Sequence, residues 1–459
     1  MFEPDRNRFT TFPVEGETAA DNPIINLASA QLAFDSERNA VWFTDARTNS
    51  IGKLDVTSDR IDLLQIPTDS AGPMGIVLSP DGNTVWFAEI TGDNIASVDA
   101  ESMRITEYAT GEDSGPALLT FDDSGILWVT LSFSNSVLRI DPQALSSNNP
   151  SFAMTELKLS GGDSFSPLRI AVADGKVYVS DHGSNRVIVA DTGFVNYVSY
   201  WTSPSIVFPT TLPSQVVADG RGNIYFPQHG GNRISVINAT GVMTEYEIPT
   251  GPLSTVVFIA PSDYGKIWFT EWASNKIGYL DTTVAVPFTL QVNQNASLTL
   301  DRSGQQSISV ALSSSEAARS PMSLSEVEVG LTGMTESGLG VTYDAQPPRV
   351  NLQDSSSAES EIQIRAKENA RPGSYTTMVR AFAPEQDGLV ISKLYPIELI
   401  LDVPEPASSQ GHNVSQNRQT ANTTVQDVLR IGAPLAAAGV AAFAIYKWKK
   451  TRRAERSTR

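Results

Sequence analysis

The sequence predicts an all-β protein that consists of a β-propeller, a second β-sandwich domain and one C-terminal transmembrane helix. Three observations carry this prediction: a strand-patterned repeat with a period in the forties, short alternating runs after about residue 286, and an uncharged segment near the C-terminus. Repeats of this length with four short strands per unit are typical of propeller blades.

Each repeat contains an aromatic strand that ends in an acidic or polar residue, a short polar turn with Asn, and a second strand that ends near Asp. The leading aromatic residues are 44, 42, 50, 47 and 43 positions apart. The alternation of apolar and polar residues within the runs predicts strands and hairpins. The six units are Val41–Val56, Val85–Ala100, Leu127–Pro142, Val177–Thr192, Ile224–Ala239 and Ile267–Thr282.

An inner strand that begins with Pro precedes each aromatic strand, as at Pro73, and an outer strand such as the one at Ile105 ends the unit. The sixth unit has no matching outer strand, whereas the segment that begins at Arg8 has the outer-strand pattern with nothing before it. We therefore expect the N-terminal strand to complete the last of six blades. Seven blades is the alternative if further strands precede Met1.

Two sets of recurring residues are predicted to be structural. An Asn recurs at the turn before the second strand, where its side chain favours a left-handed backbone. The leading Trp residues are expected to pack between blades. These sets are Asn49, Asn94, Asn135, Asn185, Asn232 and Asn275, and Trp42, Trp86, Trp128 and Trp268.

The repeated WFTE…NKIG pattern, with TEY-type tails between the units, resembles the streptogramin B (virginiamycin B) lyase family over roughly Phe2–Thr283, and the unit that begins at Val177 is similar to an NHL repeat. The resemblance implies a magnesium-assisted elimination that opens a cyclic depsipeptide. It also implies histidines directly after the prolines of late inner strands. Here those positions hold Met74, Ala117, Leu168 and Leu253, so catalytic histidines are absent and we expect no lyase activity.

The residues that end the aromatic strands are predicted to lie at one mouth of the propeller channel, and two histidines follow them in adjacent blades. The candidates for ligand binding are Asp45, Glu89, Asp181, His182, Gln228, His229 and Glu271, with Leu131 as the exception in the series. One interpretation is a cation site for Mg²⁺ or Ca²⁺ made of carboxylates and imidazoles. The other is that these residues cap strand ends and bond turn amides.

After the propeller, predicted over 1–285, short alternating runs over 286–404 predict an immunoglobulin-like sandwich without a disulfide, since the chain has no cysteine. A polar stalk covers 405–428, a transmembrane helix 429–448 and a basic tail 449–459. Lys447–Arg459 carries +7 − 1 = +6, so the remainder is −18 − 6 = −24. This asymmetry predicts a single-pass membrane protein with its folded domains outside the cell and its tail in the cytoplasm.

Four glycosylation sequons lie in the predicted extracellular part, at Asn238, Asn295, Asn413 and Asn422. Residues Met1–Arg8 do not form a secretory leader, so we expect that this version of the sequence lacks one. The acidic composition argues against nucleic acid as a partner.

Two functions follow as hypotheses. The first is a non-catalytic cell-surface module that binds an extracellular ligand or protein, or serves as a scaffold. The alternative is a divalent-metal-dependent lyase or hydrolase of the streptogramin B lyase type.

Overall fold

The computed structural model describes residues 2–3, 8–9, 28–145, 153–159, 166–193, 196–205, 210–251, 254–262, 264–293, 297–301, 304–315, 326–333, 340–352, 357–386 and 389–403. Strands dominate this part of the chain, which contains one helix of four residues, α1 (Pro142–Leu145). The chain divides into two compact units between Ile170 and Ala171. The predicted all-β class is confirmed for the described residues.

The first unit contains three four-stranded antiparallel sheets, each a run of consecutive strands. This order is that of propeller blades, and the sheets are numbered here from the first. The first sheet is β3 (Ala28–Asp35), β4 (Ala40–Asp45), β5 (Ser50–Asp55) and β6 (Arg60–Gln65); the second is β7 (Pro73–Leu78), β8 (Thr84–Glu89), β9 (Asn94–Asp99) and β10 (Ile105–Ala109); the third is β11 (Pro116–Phe121), β12 (Leu127–Leu131), β13 (Ser136–Ile140) and β14 (Met154–Lys158).

Three more sheets of the same type follow, and the sixth has three strands. The fourth is β15 (Pro167–Ala173), β16 (Lys176–Asp181), β17 (Arg186–Asp191) and β18 (Tyr197–Trp201); the fifth is β19 (Val217–Ala218), β20 (Ile224–Gln228), β21 (Arg233–Ile237) and β22 (Met243–Glu247); the sixth is β23 (Val256–Pro261), β24 (Lys266–Glu271) and β25 (Lys276–Asp281). The described chain thus has six blade-type sheets.

The N-terminal strand does not take the predicted place. The chain begins with β1 (Phe2–Glu3) and β2 (Arg8–Phe9), which pair with each other. The sixth sheet ends at β25 without a fourth strand among the described residues. The prediction that the segment at Arg8 completes the last blade is therefore wrong for Arg8 and Phe9, because their backbone groups pair locally.

The predicted turn residues adopt left-handed backbone angles in five of the six repeats, with φ between 53° and 61° at Asn49, Asn135, Asn185, Asn232 and Asn275. The prediction for Asn94 is wrong by one position. Asp93 has the positive φ of 57°, and Asn94 is the first residue of β9. Asp also tolerates this conformation, and the Asp93 carboxylate accepts hydrogen bonds from the backbone N–H groups of Asp113 and Gly115 in the following turn.

The C-terminal part of the second unit contains two further groups of strands. One four-stranded sheet has the order β26-β28-β32-β30, and the other strands belong to a nine-stranded sheet. The bounds are β26 (Phe288–Val292), β27 (Ser297–Leu300), β28 (Gln305–Ser314), β29 (Val327–Gly333), β30 (Val341–Gln346), β31 (Arg349–Val350), β32 (Ser357–Ala366), β33 (Gly373–Gln386) and β34 (Leu389–Leu401). Apolar residues from both groups form one core.

The nine-stranded sheet joins this C-terminal part to the fifth blade-type sheet. β22 pairs antiparallel with β34, and β34 pairs with β33. At the junction Lys393 is buried and donates to the Thr244 hydroxyl at 3.5 Å. Burial lowers the pKa of Lys393 to about 8. The outer edge of the fifth sheet is thus covered by strands from the C-terminal part.

No helix among the described residues is long and apolar enough to cross a membrane. The predicted stalk, transmembrane helix and basic tail (405–459) lie outside the described residues.

Candidate functional site

In the first sheet, the strand-end residue is held by its own turn. Asp45, the last residue of β4, is buried and accepts hydrogen bonds from the Arg47 backbone N–H at 3.0 Å and from Arg47 Nε at 3.3 Å. This contact joins residues two positions apart in the chain and neutralises the carboxylate locally.

In the second sheet, the strand-end residue is a fully buried glutamate that faces a second carboxyl. Glu89 Oε2 accepts from Asn94 Nδ2 at 3.0 Å, and Glu89 Oε1 has no hydrogen-bond partner in the described part of the chain. Burial, aided by the facing Glu107, raises the pKa of Glu89 to about 7. Glu107 itself accepts the Thr68 backbone N–H at 2.9 Å. At neutral pH a large share of Glu89 therefore keeps its proton.

The fourth sheet carries a buried ion pair at the equivalent place. Asp181 Oδ2 accepts from Arg186 Nε at 3.0 Å, and both side chains are almost completely buried. Arg186 also donates to Ser199 Oγ at 3.0 Å, and its guanidinium lies 5.3 Å from the Trp201 ring. These additional bonds compensate for the burial of the ion pair. Asp181 therefore has a structural role within the fourth sheet.

The fifth sheet replaces the acid by an amide. Gln228 Nε2 donates to Glu245 Oε1 at 2.7 Å and to Ser235 Oγ at 2.6 Å. Glu245 is buried on β22 and also accepts the Ser203 backbone N–H at 3.0 Å. The arrangement matches that of Glu89 and Glu107, with an amide in place of one carboxyl.

A glycine makes room for the side chain in both of these sheets. A Cβ on Gly92 would lie 2.6 Å from Glu89 Oε2, and a Cβ on Gly231 would lie 2.6 Å from Gln228 Oε1. Each glycine follows its strand-end residue by three positions. The absence of a side chain at each glycine thus leaves space for the strand-end side chain to fold over the turn that follows it.

The two candidate histidines lie together. The rings of His182 and His229 meet edge to face with centroids 4.9 Å apart, and both residues are buried. His182 Nδ1 lies 2.9 Å from the Pro213 carbonyl oxygen. Because a carbonyl can only accept, Nδ1 carries the proton in this contact.

His229 is the more unusual of the two, because neither ring nitrogen has a hydrogen-bond partner in the described part of the chain. Burial, and secondarily the neighbouring His182, hold the pKa of His229 well below its ordinary value. The imidazole is therefore neutral at physiological pH and offers a lone pair.

Glu271, the last of the series, is buried at the end of β24, and its Oε2 has no hydrogen-bond partner among the described residues. The structure thus brings the two histidines together, while Asp181 and Gln228 bond within their own sheets. No group of three His, Asp or Glu side chains in the described chain is arranged to hold a metal ion. The described residues therefore offer no cluster of three ligands for the predicted cation site.

Three residues that contact the strand-end residues were not predicted from the sequence: Arg186, Glu107 and Glu245. A signal was available for the two glutamates. Both occupy the same place in a Thr-Glu-Tyr outer strand of their repeats, and the side chain of each reaches the strand-end residue.

The positions at which the resemblance places histidines are apolar in the structure. Ala117 and Leu168 are buried, and Met74 is half-buried and packs against their cluster. Leu253 lies outside the described residues, whereas the neighbouring Ser254 hydroxyl donates to Asn232 Oδ1. These positions serve packing and turn structure.

Of the four sequons, Asn238 is described. It lies in an exposed turn, where its Oδ1 accepts from the backbone N–H groups of Thr240 and Val242. Asn295, Asn413 and Asn422 lie outside the described residues. Glycosylation stays a prediction at all four.

Residues 6–150 match the model of the virginiamycin B lyase family. The repeats within these residues are those of a virginiamycin B lyase-like β-propeller. The resemblance to this family is thereby confirmed. No curated protein sequence matches the chain.

Three solved structures are similar to parts of this chain. Selenomethionine-substituted virginiamycin B lyase from Staphylococcus aureus is 24% identical over 54% of this chain and 78% of its own, with a TM-score of 0.46. An inactive variant of virginiamycin B lyase from Staphylococcus aureus with quinupristin is 25% identical over 56% and 82%, with a TM-score of 0.47. The extracellular domain of a one-component system from B. thetaiotaomicron is 13% identical over 82% and 50%, with a TM-score of 0.44.

Proposed function

We propose that this chain is a binding or scaffolding module with a virginiamycin B lyase-like propeller and without lyase activity. The observation that carries the proposal is how the polar residues at the strand ends are used. Asp45, Asp181 and Gln228 each bond to a side chain of their own sheet and are not left to act on a substrate. Glu89 and Glu271 each keep one carboxyl oxygen without a hydrogen-bond partner among the described residues. The three bonded residues hold the repeats together and leave the surface for recognition.

In this proposal the C-terminal part is an immunoglobulin-like sandwich that holds the propeller away from a membrane. The two groups of strands around one core support the sandwich. The uncharged segment at 431–446, followed by basic residues, supports an anchor. The propeller would then meet an extracellular ligand or protein.

The test is a linearisation assay with purified full-length chain, a streptogramin B-type cyclic depsipeptide and Mg²⁺, followed by mass spectrometry. We expect no linear product above the level in buffer. Enzymatic formation of the linear product at a rate that saturates with substrate would refute the non-catalytic function.

A second candidate is a metal-dependent lyase or hydrolase, which the pair of His182 and His229 favours. His229 is buried with both nitrogens without a partner among the described residues, which is unusual for a structural histidine. If this pair binds a divalent ion, calorimetry with Mg²⁺, Ca²⁺ or Zn²⁺ gives a binding isotherm that His182→Ala and His229→Ala abolish. Equal affinity in wild type and variants would exclude the pair as ligands.

A further inference from the structure

The loop that enters the second sheet is held by side chains of both sheets that it joins. It covers 66–72, between β6 and β7. From the first sheet, Asn49 Nδ2 donates to the Thr68 carbonyl oxygen at 2.8 Å. From the outer strand of the second sheet, Glu107 Oε1 accepts the Thr68 backbone N–H at 2.9 Å. Thr68 is therefore a point at which the second sheet holds the loop.

The carboxyl group that holds Thr68 faces a second carboxyl, which is fully buried. Glu89 Oε2 accepts from Asn94 Nδ2 at 3.0 Å, and Glu89 Oε1 has no hydrogen-bond partner in the described part of the chain. A Cβ on Gly92 would lie 2.6 Å from Glu89 Oε2 and 3.2 Å from Thr68 Cγ2, so the turn and the loop enclose this carboxyl. Glu107 is half-buried. Of the two carboxyls, Glu107 is thus the one that can turn toward water.

Among the described residues, Glu107 is the charged group that acts on Glu89. The strands β7 and β11, which also pack against β8, contain no titratable residue. In β9, the Asp99 carboxylate accepts backbone N–H groups of the turn at the far end of that strand. Tyr108, the other titratable residue of β10, stacks on Trp86.

Two further acidic residues lie in the adjoining turn and loop. Asp93, in the turn after β8, accepts backbone N–H groups of the loop that enters the third sheet. Asp69, in the loop that enters the second sheet, is exposed. The charge at this site therefore depends on Glu89 and Glu107. Burial, aided by Glu107, raises the pKa of Glu89 to about 7, so Glu89 ionises near neutral pH.

We propose that Glu89 and Glu107 form a proton-dependent clamp on this loop: protonated Glu89 donates to Glu107, and loss of the proton to solvent turns Glu107 toward water and releases the Thr68 N–H. While the proton is present, Glu107 keeps an oxygen for Thr68. Once it is lost, two negative charges face each other at a buried site, and the half-buried Glu107 leaves. The loop between the first and second sheets is thus held below neutral pH and freed above it. This inference goes beyond the proposed binding function and does not rest on it.

The fifth sheet has the same clamp without the titrating group. Ser203, in the connection between β18 and β19, donates its backbone N–H to Glu245 Oε1 at 3.0 Å. Gln228, at the position that Glu89 occupies in the second sheet, donates to the same oxygen at 2.7 Å. Because an amide donates at every pH, this clamp does not depend on a proton. The fifth sheet is therefore an internal control for the second.

Hydrogen exchange of the full-length chain tests the clamp, measured by mass spectrometry on peptides that contain Thr68 and on peptides that contain Ser203. Labelling times are scaled to the intrinsic exchange rate at each pH, so that the result is a protection factor. We expect protection at Thr68 to fall about ten-fold from pH 6 to pH 8, where about nine-tenths of Glu89 is ionised. Protection at Ser203 should change by less than about two-fold.

Two variants separate the clamp from other effects of pH. Glu89→Gln keeps a donor and removes the titrating group, as in the fifth sheet, so protection at Thr68 should be equal at both pH values. Glu107→Gln should also abolish the pH dependence, because its amide oxygen accepts from Thr68 while its N–H donates to ionised Glu89.

Three results would overturn the inference. The first is equal protection of Thr68 at pH 6 and pH 8 in the wild-type chain. The second is an undiminished pH dependence in Glu89→Gln, which would assign the release to another group. The third is a parallel fall at Ser203, which would show that the whole chain opens with pH and that the loop is not released by itself.

Discussion

The second and fifth sheets place the same three groups together and differ in one atom type. In each, a backbone N–H donates to an outer-strand glutamate, Glu107 or Glu245, beside the strand-end residue. In the fifth sheet that residue is Gln228, whose amide donates to the glutamate at any pH. In the second it is Glu89, which can donate only while it is protonated.

This difference shows that a buried carboxyl can replace an amide as a hydrogen-bond donor when its surroundings raise its pKa enough to keep it protonated. Burial and the facing Glu107 both act in that direction on the pKa of Glu89. Because the folded-state pKa of about 7 lies above the ordinary 4.5, the folded state binds more protons than the unfolded state between these pH values. The contribution of Glu89 to the free energy of unfolding is thus fully present below its ordinary pKa of 4.5 and is lost as pH rises through about 7.

The largest change in the free energy of unfolding is expected when the strand-end residue of the fifth sheet is replaced by that of the second. Gln228→Glu puts a second carboxyl beside the buried Glu245. We expect a loss of about 3 kcal/mol in the free energy of unfolding at pH 8, because a buried charge would lack compensation. At pH 5 the loss should be smaller, since the new carboxyl can be protonated. Urea unfolding followed by tryptophan fluorescence at both pH values measures this.

Gln228→Met is the control for that change, because it removes the same hydrogen bonds without adding charge. Its loss should differ less between pH 5 and pH 8 than that of Gln228→Glu, because only one buried carboxyl, Glu245, then remains at the site. An equal pH dependence in both variants would contradict the electrostatic explanation.

The reverse substitution, in the second sheet, is expected to have an intermediate effect on the free energy of unfolding. Glu89→Gln supplies a permanent donor to Glu107 and removes the titrating group. We expect a gain of about 1 kcal/mol at pH 8 and no change at pH 5, where Glu89 already carries its proton. Thermal unfolding at the two pH values is the measurement. A variant that is less stable than wild type at pH 8 would show that the hydrogen bond from Asn94 stabilises ionised Glu89 by more than burial and Glu107 destabilise it.

The smallest effect is expected from Glu107→Gln, which keeps the acceptor oxygen for Thr68 and removes the facing charge. Burial is the larger cause of the raised pKa, so the pKa of Glu89 should fall only partway toward its ordinary value. A carboxyl-detected NMR titration reports it directly. A return to the ordinary value would mean that Glu107, and not burial, holds the proton.

The repeats could be predicted from the sequence because their signals are local. The left-handed turns at Asn49 and Asn185 follow from side-chain chemistry within a few residues. The burial of Trp42 and Trp86 follows from strand alternation within a recurring unit. Trp268 has the same local sequence and is exposed, because its burial depends on a following sheet.

The candidate site was predicted in part. The sequence marked His182 and His229 as residues that follow strand ends in neighbouring repeats, and the structure places their rings in contact. It did not indicate that Arg186 would engage Asp181. That ion pair depends on the register of β16 against β17, which puts the two residues opposite each other.

By itself the sequence determined the all-β class, the repeat and its turns, since period and turn chemistry act over short distances. Only the tertiary structure decided that β22 continues into β34, that β2 pairs with β1, and that Glu89 faces Glu107. These outcomes depend on which strands and side chains meet, and the free energy of such encounters comes from burial and charge at positions far apart in the chain.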